Sequence, residues 1–304
     1  MKNYLKKHCI ILIVFITLAG VISLTQYFVN LFNKSYISDK CYIAFVIPLS
    51  ESIIFDKLAM IESFRKTFNS EIICCESNTA NDRKNEINEY TVAAGSNSDR
   101  ITIAQKALTS DYLDLILSSG AFDLEEKEIN LLRSHKGYIL LEGRFGNHNK
   151  IEEATFTVRI LSILLKNNNS LGAFNISANM YRPKRLLKDV QFDQPFDAYR
   201  LYRFYVLVHH VAEEKRIWIH THGMEQFGVP DIQLFYPAND NADSLYQEVI
   251  DNTAAYLIDN GPIVDPGETV DIDGRGAIYR AKSVSRDDNH PYGAYGAIEL
   301  EKCH

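Results

Sequence analysis

Two histidines one residue apart, His220 and His222, lie in the chemically densest stretch of the 304-residue chain, residues 217–236 (IWIHTHGMEQFGVPDIQLFY). On an extended strand, residues i and i+2 project to one face, so both imidazoles can converge on a metal ion. Glu225 or Asp231 would complete a His/His/carboxylate set. No third ligand has a diagnostic spacing, and two histidines fall short of the ligand count of a zinc site. The favoured reading of this block is therefore structural. His222 ends a strand and bonds backbone in a tight turn at Gly223, with no cofactor. The alternative is a divalent metal held by His220 and His222, and with it a metal-dependent hydrolase. His209 and His210 are adjacent and point to opposite faces of their strand, so they cannot chelate together. A hairpin through Glu213, Glu214 and Lys215 would place one of them across from His220.

Other chemistries leave no signature. There is no Gly-x-Ser-x-Gly elbow, and Ser118-Ser119-Gly120 lacks the first glycine of one. Neither a phosphate-cradling GxxxxGK[ST] nor a GxGxxG after a strand is present. Asp271-Ile272-Asp273-Gly274-Arg275-Gly276 looks like the start of a calcium loop but lacks the distal carboxylate, so it reads as a hairpin turn. The five cysteines, Cys9, Cys41, Cys74, Cys75 and Cys303, show no CxxC or CxxH spacing. In an extracytoplasmic domain, Cys41 and Cys303 are placed to tie its two ends. Tyr199, Tyr202 and Tyr205 with Arg200 and Arg203 read as packing between lobes. No catalytic residue is assigned.

The elements that must position these residues follow from periodicity. Short apolar runs read as strands at 41–48, 71–75, 137–142 and 171–176, and 90–95 with 100–104 as a hairpin around a Gly-Ser-Asn-Ser turn. Helical spacing marks 55–68, 122–135, 151–166 and 242–260. Residues 111–118 suit helix and strand alike, and a helix is expected from Pro183. From 199 to 237 the character is β, with strands at 201–211, 216–222 and 232–236. The tail alternates strands and turns at 269–272, 276–283 and 296–300. This mixture predicts an α+β (mixed α/β) domain, a mixed sheet in two layers with room for two lobes, 41–178 and a more β-rich 179–304.

Residues 1–40 differ in kind. Between His8 and Lys34 there is no charged side chain, and the stretch 9–32 is long enough for a helix to cross a bilayer. Lys2, Lys6 and Lys7 precede it, which places the N-terminus in the cytoplasm and the rest of the chain outside it. The run is too long for the core of a cleaved signal peptide, and no small-x-small cleavage site follows it, so an uncleaved anchor is expected. The whole chain carries −7. Five lysines and one aspartate make residues 1–40 +4, leaving −11 on the remaining 264. That acidity argues against nucleic acid.

Thr221, His222, Gly223, Met224, Phe227, Gly228, Pro230, Asp231 and Ile232 together resemble the late block of the bacterial domain of unknown function 4261 family. There a Thr-His-Gly step is followed by a Gly-x-Pro-acid strand. The resemblance would cover most of 41–283 and implies a domain type without an activity. Its distinctive block marks Thr221, His222, Gly223 and Asp231 as candidate binding residues, and Glu225 joins them from the carboxylate reading above. A membrane-anchored, non-enzymatic interaction domain is the favoured reading, immunity-like in one version, with an unidentified basic protein as its partner.

Overall fold

Strand β1 (Tyr42–Leu49, YIAFVIPL) is buried along 43–49 on both faces, as a central strand with a continuous apolar run must be. The computed structural model describes residues 42–51, 57–68, 73–77, 87–94, 97–104, 107–118, 124–144, 150–167, 169–187, 190, 194–240, 243–262, 264–271, 278–284 and 295–303. Antiparallel to β1 on one side runs β5 (Gly137–Arg144), and on the other β6 (Gly172–Asn175). With β2 (Ile73–Ser77), β3 (Ile87–Ala94), β4 (Asn97–Ala104) and β7 (Met180–Pro183) they form a seven-stranded sheet of order β2-β3-β4-β5-β1-β6-β7. Its faces follow the strand period. Ile43, Phe45, Ile47 and Leu49 enter the main core, whereas Val46 joins a smaller cluster with Ile116 and Leu132.

Helices cover both faces of this sheet. On the main-core face lie α1 (Lys57–Phe68) and the long α4 (Lys150–Asn167), through Met60, Phe64, Ala154 and Leu161. On the other lie α2 (Ser110–Ser118), which supplies Ile116, and α3 (Glu126–Arg133), which supplies Leu132. Residues 111–118 are thus helical. A four-residue α5 (Lys184–Leu187) follows β7, so the helix expected from Pro183 begins one residue later and is brief.

The second sheet has six strands in the order β11-β12-β13-β10-β9-β8. They are β8 (Leu207–Ala212), β9 (Arg216–His222), β10 (Asp231–Pro237), β11 (Thr269–Asp271), β12 (Ile278–Val284) and β13 (Ala297–Lys302). All neighbours are antiparallel except β10 and β13, which are parallel. Helix α7 (Asp243–Asn260) packs against β10 and β9, and Ile219, Ile232, Leu234 and Tyr236 share the main core with Val249, Ile250, Ala254 and Leu257. On β9 the odd-numbered residues therefore face the core, and Trp218, His220 and His222 face away from it.

Between the sheets' helices runs α6 (Ala198–Tyr205), which touches both α4 and α7. Residues 201–205 were expected to be strand because Tyr and Phe favour sheets. Asp197 decides otherwise. Its carboxylate accepts a hydrogen bond from Arg200 N at 2.7 Å and caps the helix, and Ala198, Leu201, Tyr202 and Tyr205 are all buried at helical spacing. Asp251 of α7 then accepts from the Tyr202 hydroxyl at 2.6 Å and from Arg203 Nη1 at 3.2 Å.

The expected α+β class is correct, but one two-layer mixed sheet is replaced by two sheets, the larger covered by helices on both faces. Cys303 is a free, half-buried thiol, and its expected partner Cys41 lies outside the described residues. Among the described residues no helix is long and apolar enough to cross a membrane, and the apolar run 9–32 lies outside them.

Candidate metal centre

The hairpin of β8 and β9 sets Leu207 across from His222 and His209 across from His220. Because residues opposite one another share a face, His209, His220 and His222 all project to the same side of the sheet. One ring nitrogen from each lies within 4.8 Å of the other two. His220 Nε2 and His222 Nε2 are 3.0 Å apart, and the three rings meet edge to face with centroids 4.8–5.3 Å apart. His220 is 4% exposed, and the other two are half-buried.

Burial also sets their charge. Desolvation, with a further push from His209, takes the His222 imidazole down to about 4. The pKa of His209 is lowered by desolvation and by its neighbour His210. Neutral imidazoles are the form that ligates a metal. Three of them on zinc at ~2.0–2.1 Å would stand about 3.3 Å apart in tetrahedral geometry. The His220–His222 separation of 3.0 Å is already close to that, and all three ligand atoms lie within 4.8 Å of one another.

Trp218 forms one wall. Its ring stacks on His220 at 3.8 Å between centroids and 20° between planes. Its Nε1 donates to Gln233 Oε1 at 3.1 Å, and Gln233 Nε2 donates to Glu299 Oε2 at 2.8 Å. Gln233 is the register neighbour of His220 on β10, and Glu299 that of Gln233 on β13. A polar row His209–His220–Gln233–Glu299 thus crosses four strands. Phe235 continues the aromatic wall beside Trp218 (6.2 Å), with the Arg216 guanidinium 4.0 Å above it.

The candidates read from the sequence separate into two groups. His222 and the alternative ligand His220 belong to the histidine cluster. Thr221, Gly223 and Asp231 build the turn beneath it. Asp231 Oδ1 accepts from Thr221 Oγ1 at 3.0 Å and from Met224 N at 3.3 Å, while Thr221 Oγ1 accepts from Ile232 N at 2.8 Å. The hydroxyl thereby takes over a ladder position where β9 and β10 part. Gly223 adopts φ +102°, and a Cβ there would meet Gln226 Nε2 at 2.8 Å and Ala178 Cβ at 2.9 Å. Glu225 is the second residue of the short 3₁₀ turn Met224–Phe227. Neither Glu225 nor Asp231 is among the clustered ligand atoms, so the expected carboxylate is replaced by a third histidine.

Beneath the turn, buried amides join it to the larger sheet. Gln226 Nε2 donates to Gly223 O and Tyr205 O, and Asn175 Nδ2 donates to Gln226 Oε1 at 3.0 Å. The His222 end of β9 is therefore held from both sides. The sequence pointed to His209 only through the hairpin at 213–215. Trp218 had a weaker signal, its i−2 spacing from His220.

A sequence model for the C-terminal part of a protein family of unknown function, DUF4026, matches residues 207–281, from the first residue of β8 into β12. No curated protein and no solved structure matches the chain. The match supports a domain of unknown function, but it falls to a different family from the 4261 group that the Thr-His-Gly block resembles. The stretch it covers contains His209, His220 and His222, together with Trp218 and Gln233.

Proposed function

We propose that the six-stranded sheet carries a binding site for a divalent transition-metal ion, with His209, His220 and His222 as ligands. The observation behind this reading is the convergence of three imidazoles on one sheet face, two of them driven toward the neutral form by burial. Imidazole suits zinc, copper and nickel and discriminates against calcium and magnesium, which take oxygen ligands. Three protein ligands leave a coordination position open for water or a small ligand. The 3.0 Å contact between the Nε2 atoms of His220 and His222 is a hydrogen bond when one of the two carries a proton. A metal there would need both Nε2 lone pairs free, with each ring's proton on Nδ1. Hydrolysis would further need a general base, and the carboxylates that the sequence offered as ligands, Glu225 and Asp231, stand outside the cluster. Binding is therefore favoured over hydrolysis. Membrane tethering through residues 9–32 belongs to the same proposal, supported by the length and lack of charge of that run.

The test is metal analysis of the purified full chain after equilibration with zinc and removal of free ion. Close to one equivalent per chain is expected. Background zinc, with copper and nickel equally absent in parallel samples, would overturn the reading.

A further inference from the structure

We propose that Trp218 is the positioning residue of the histidine site, holding the His220 ring so that Nε2 faces the metal position; this rests on the metal-binding reading above. His220 is the middle member of the triad, register partner of His209 and two residues before His222. An imidazole swings about its χ2 torsion, which is broad and weakly restrained by its own bonds. A ring stacked 3.8 Å away at 20° removes that freedom, because rotation would drive the imidazole edge into the indole. The indole is itself fixed. Its Nε1 hydrogen bond to Gln233, and Gln233's bond to Glu299, tie its orientation to β10 and β13. Phe235, its register partner on β10, lies nearly parallel to it with 6.2 Å between centroids.

The arrangement gives Trp218 a second effect. An apolar plane against one ligand keeps water from that flank and lowers the local dielectric, which strengthens the metal–imidazole interaction. Groups standing behind metal ligands are typically worth ~10–100-fold in affinity. Trp218 is also the chain's one tryptophan, so its emission reports on this site alone.

Zinc affinity would be measured by competition with a chromophoric chelator, on full-length wild type, Trp218→Leu and Trp218→Phe. Urea unfolding of each variant would verify that it is folded. Trp218→Leu should weaken zinc binding ~10–100-fold, because it removes the flat face. Trp218→Phe should stay within about 3-fold of wild type, because the face persists without the indole nitrogen. Wild-type affinity in the leucine variant would overturn the positioning role and leave the metal site standing. Equal losses in both variants would overturn positioning by stacking. Failure of the wild type to bind zinc would overturn the metal reading itself.

Discussion

His209 and His220 face each other directly across the antiparallel β8–β9 pair, with ring centroids 5.3 Å apart. This cross-strand relationship, and not the i, i+2 spacing of His220 and His222 alone, turns a histidine pair into a triad. It also separates His209 from its sequence neighbour. His210 points to the opposite face, where its Nε2 meets Gln247 Oε1 at 2.8 Å.

Alanine at either histidine therefore has opposite consequences. His209→Ala should weaken zinc binding more than about 100-fold, since in the proposed site it removes a ligand and not merely a supporting group. His210→Ala should leave zinc affinity within about 2-fold of wild type, an expectation that follows from its face. Calorimetric titration of both variants checks the pair. Equal losses would show that the strand, and not the His209 ring, matters.

Asp231 was a candidate ligand in the sequence and is a turn builder in the structure. It is 2% exposed and accepts from Thr221 Oγ1 and Met224 N. Asp231→Ala leaves those donors buried without this acceptor, at a cost of about 2–4 kcal/mol. A lowered urea midpoint is expected, with zinc stoichiometry retained under native conditions. Loss of zinc without loss of stability would restore Asp231 to the ligand set.

Which parts were legible from sequence follows from how local each signal is. The 151–166 helix and the strand 216–222 announce themselves through their own periodicity and appear within a residue of the expected ends. Residues 201–205 did not, because their aromatic content favours strand while the deciding contacts are the Asp197 cap and burial against α4 and α7. The site divides in the same way. The shared face of His220 and His222 is written in two residues. Their partnership with His209 depends on hairpin register, and the turn role of Asp231 on a hydroxyl ten residues upstream.

The α6–α7 junction offers a test of asymmetry. Asp251 accepts from the Tyr202 hydroxyl, Arg203 Nη1 and Gln247 Nε2. Asp251→Ala deprives the buried Tyr202 hydroxyl of its partner and should cost about 1–3 kcal/mol. Arg203, 56% exposed, adds little because water replaces its partner. Tyr202→Phe removes a donor while Asp251 keeps three others, Arg203, Gln247 and a longer bond from the Tyr199 hydroxyl, so about 1 kcal/mol or less is expected. Chemical denaturation ranks the two variants, and the reverse order would refute this division.

Asp99, on β4, gives the larger sheet a pH dependence of definite sign. It is 4% exposed, and burial, opposed by a hydrogen bond from Thr157 and reinforced by Glu153, raises its carboxyl to about 8. Between the ordinary value of 3.8 and about 8, the folded state holds a proton that the unfolded state has released. Stability therefore falls as pH rises through that window and levels off above it. Asparagine keeps the shape and cannot ionise, so Asp99→Asn should flatten this slope and stabilise the protein at pH 8, while changing little at pH 4.5. Urea midpoints for both proteins at pH 4.5, 6.5 and 8 give the comparison. Parallel curves would show that some other group carries the titration; curves that meet at low pH and diverge toward pH 8 would assign it to this buried carboxyl.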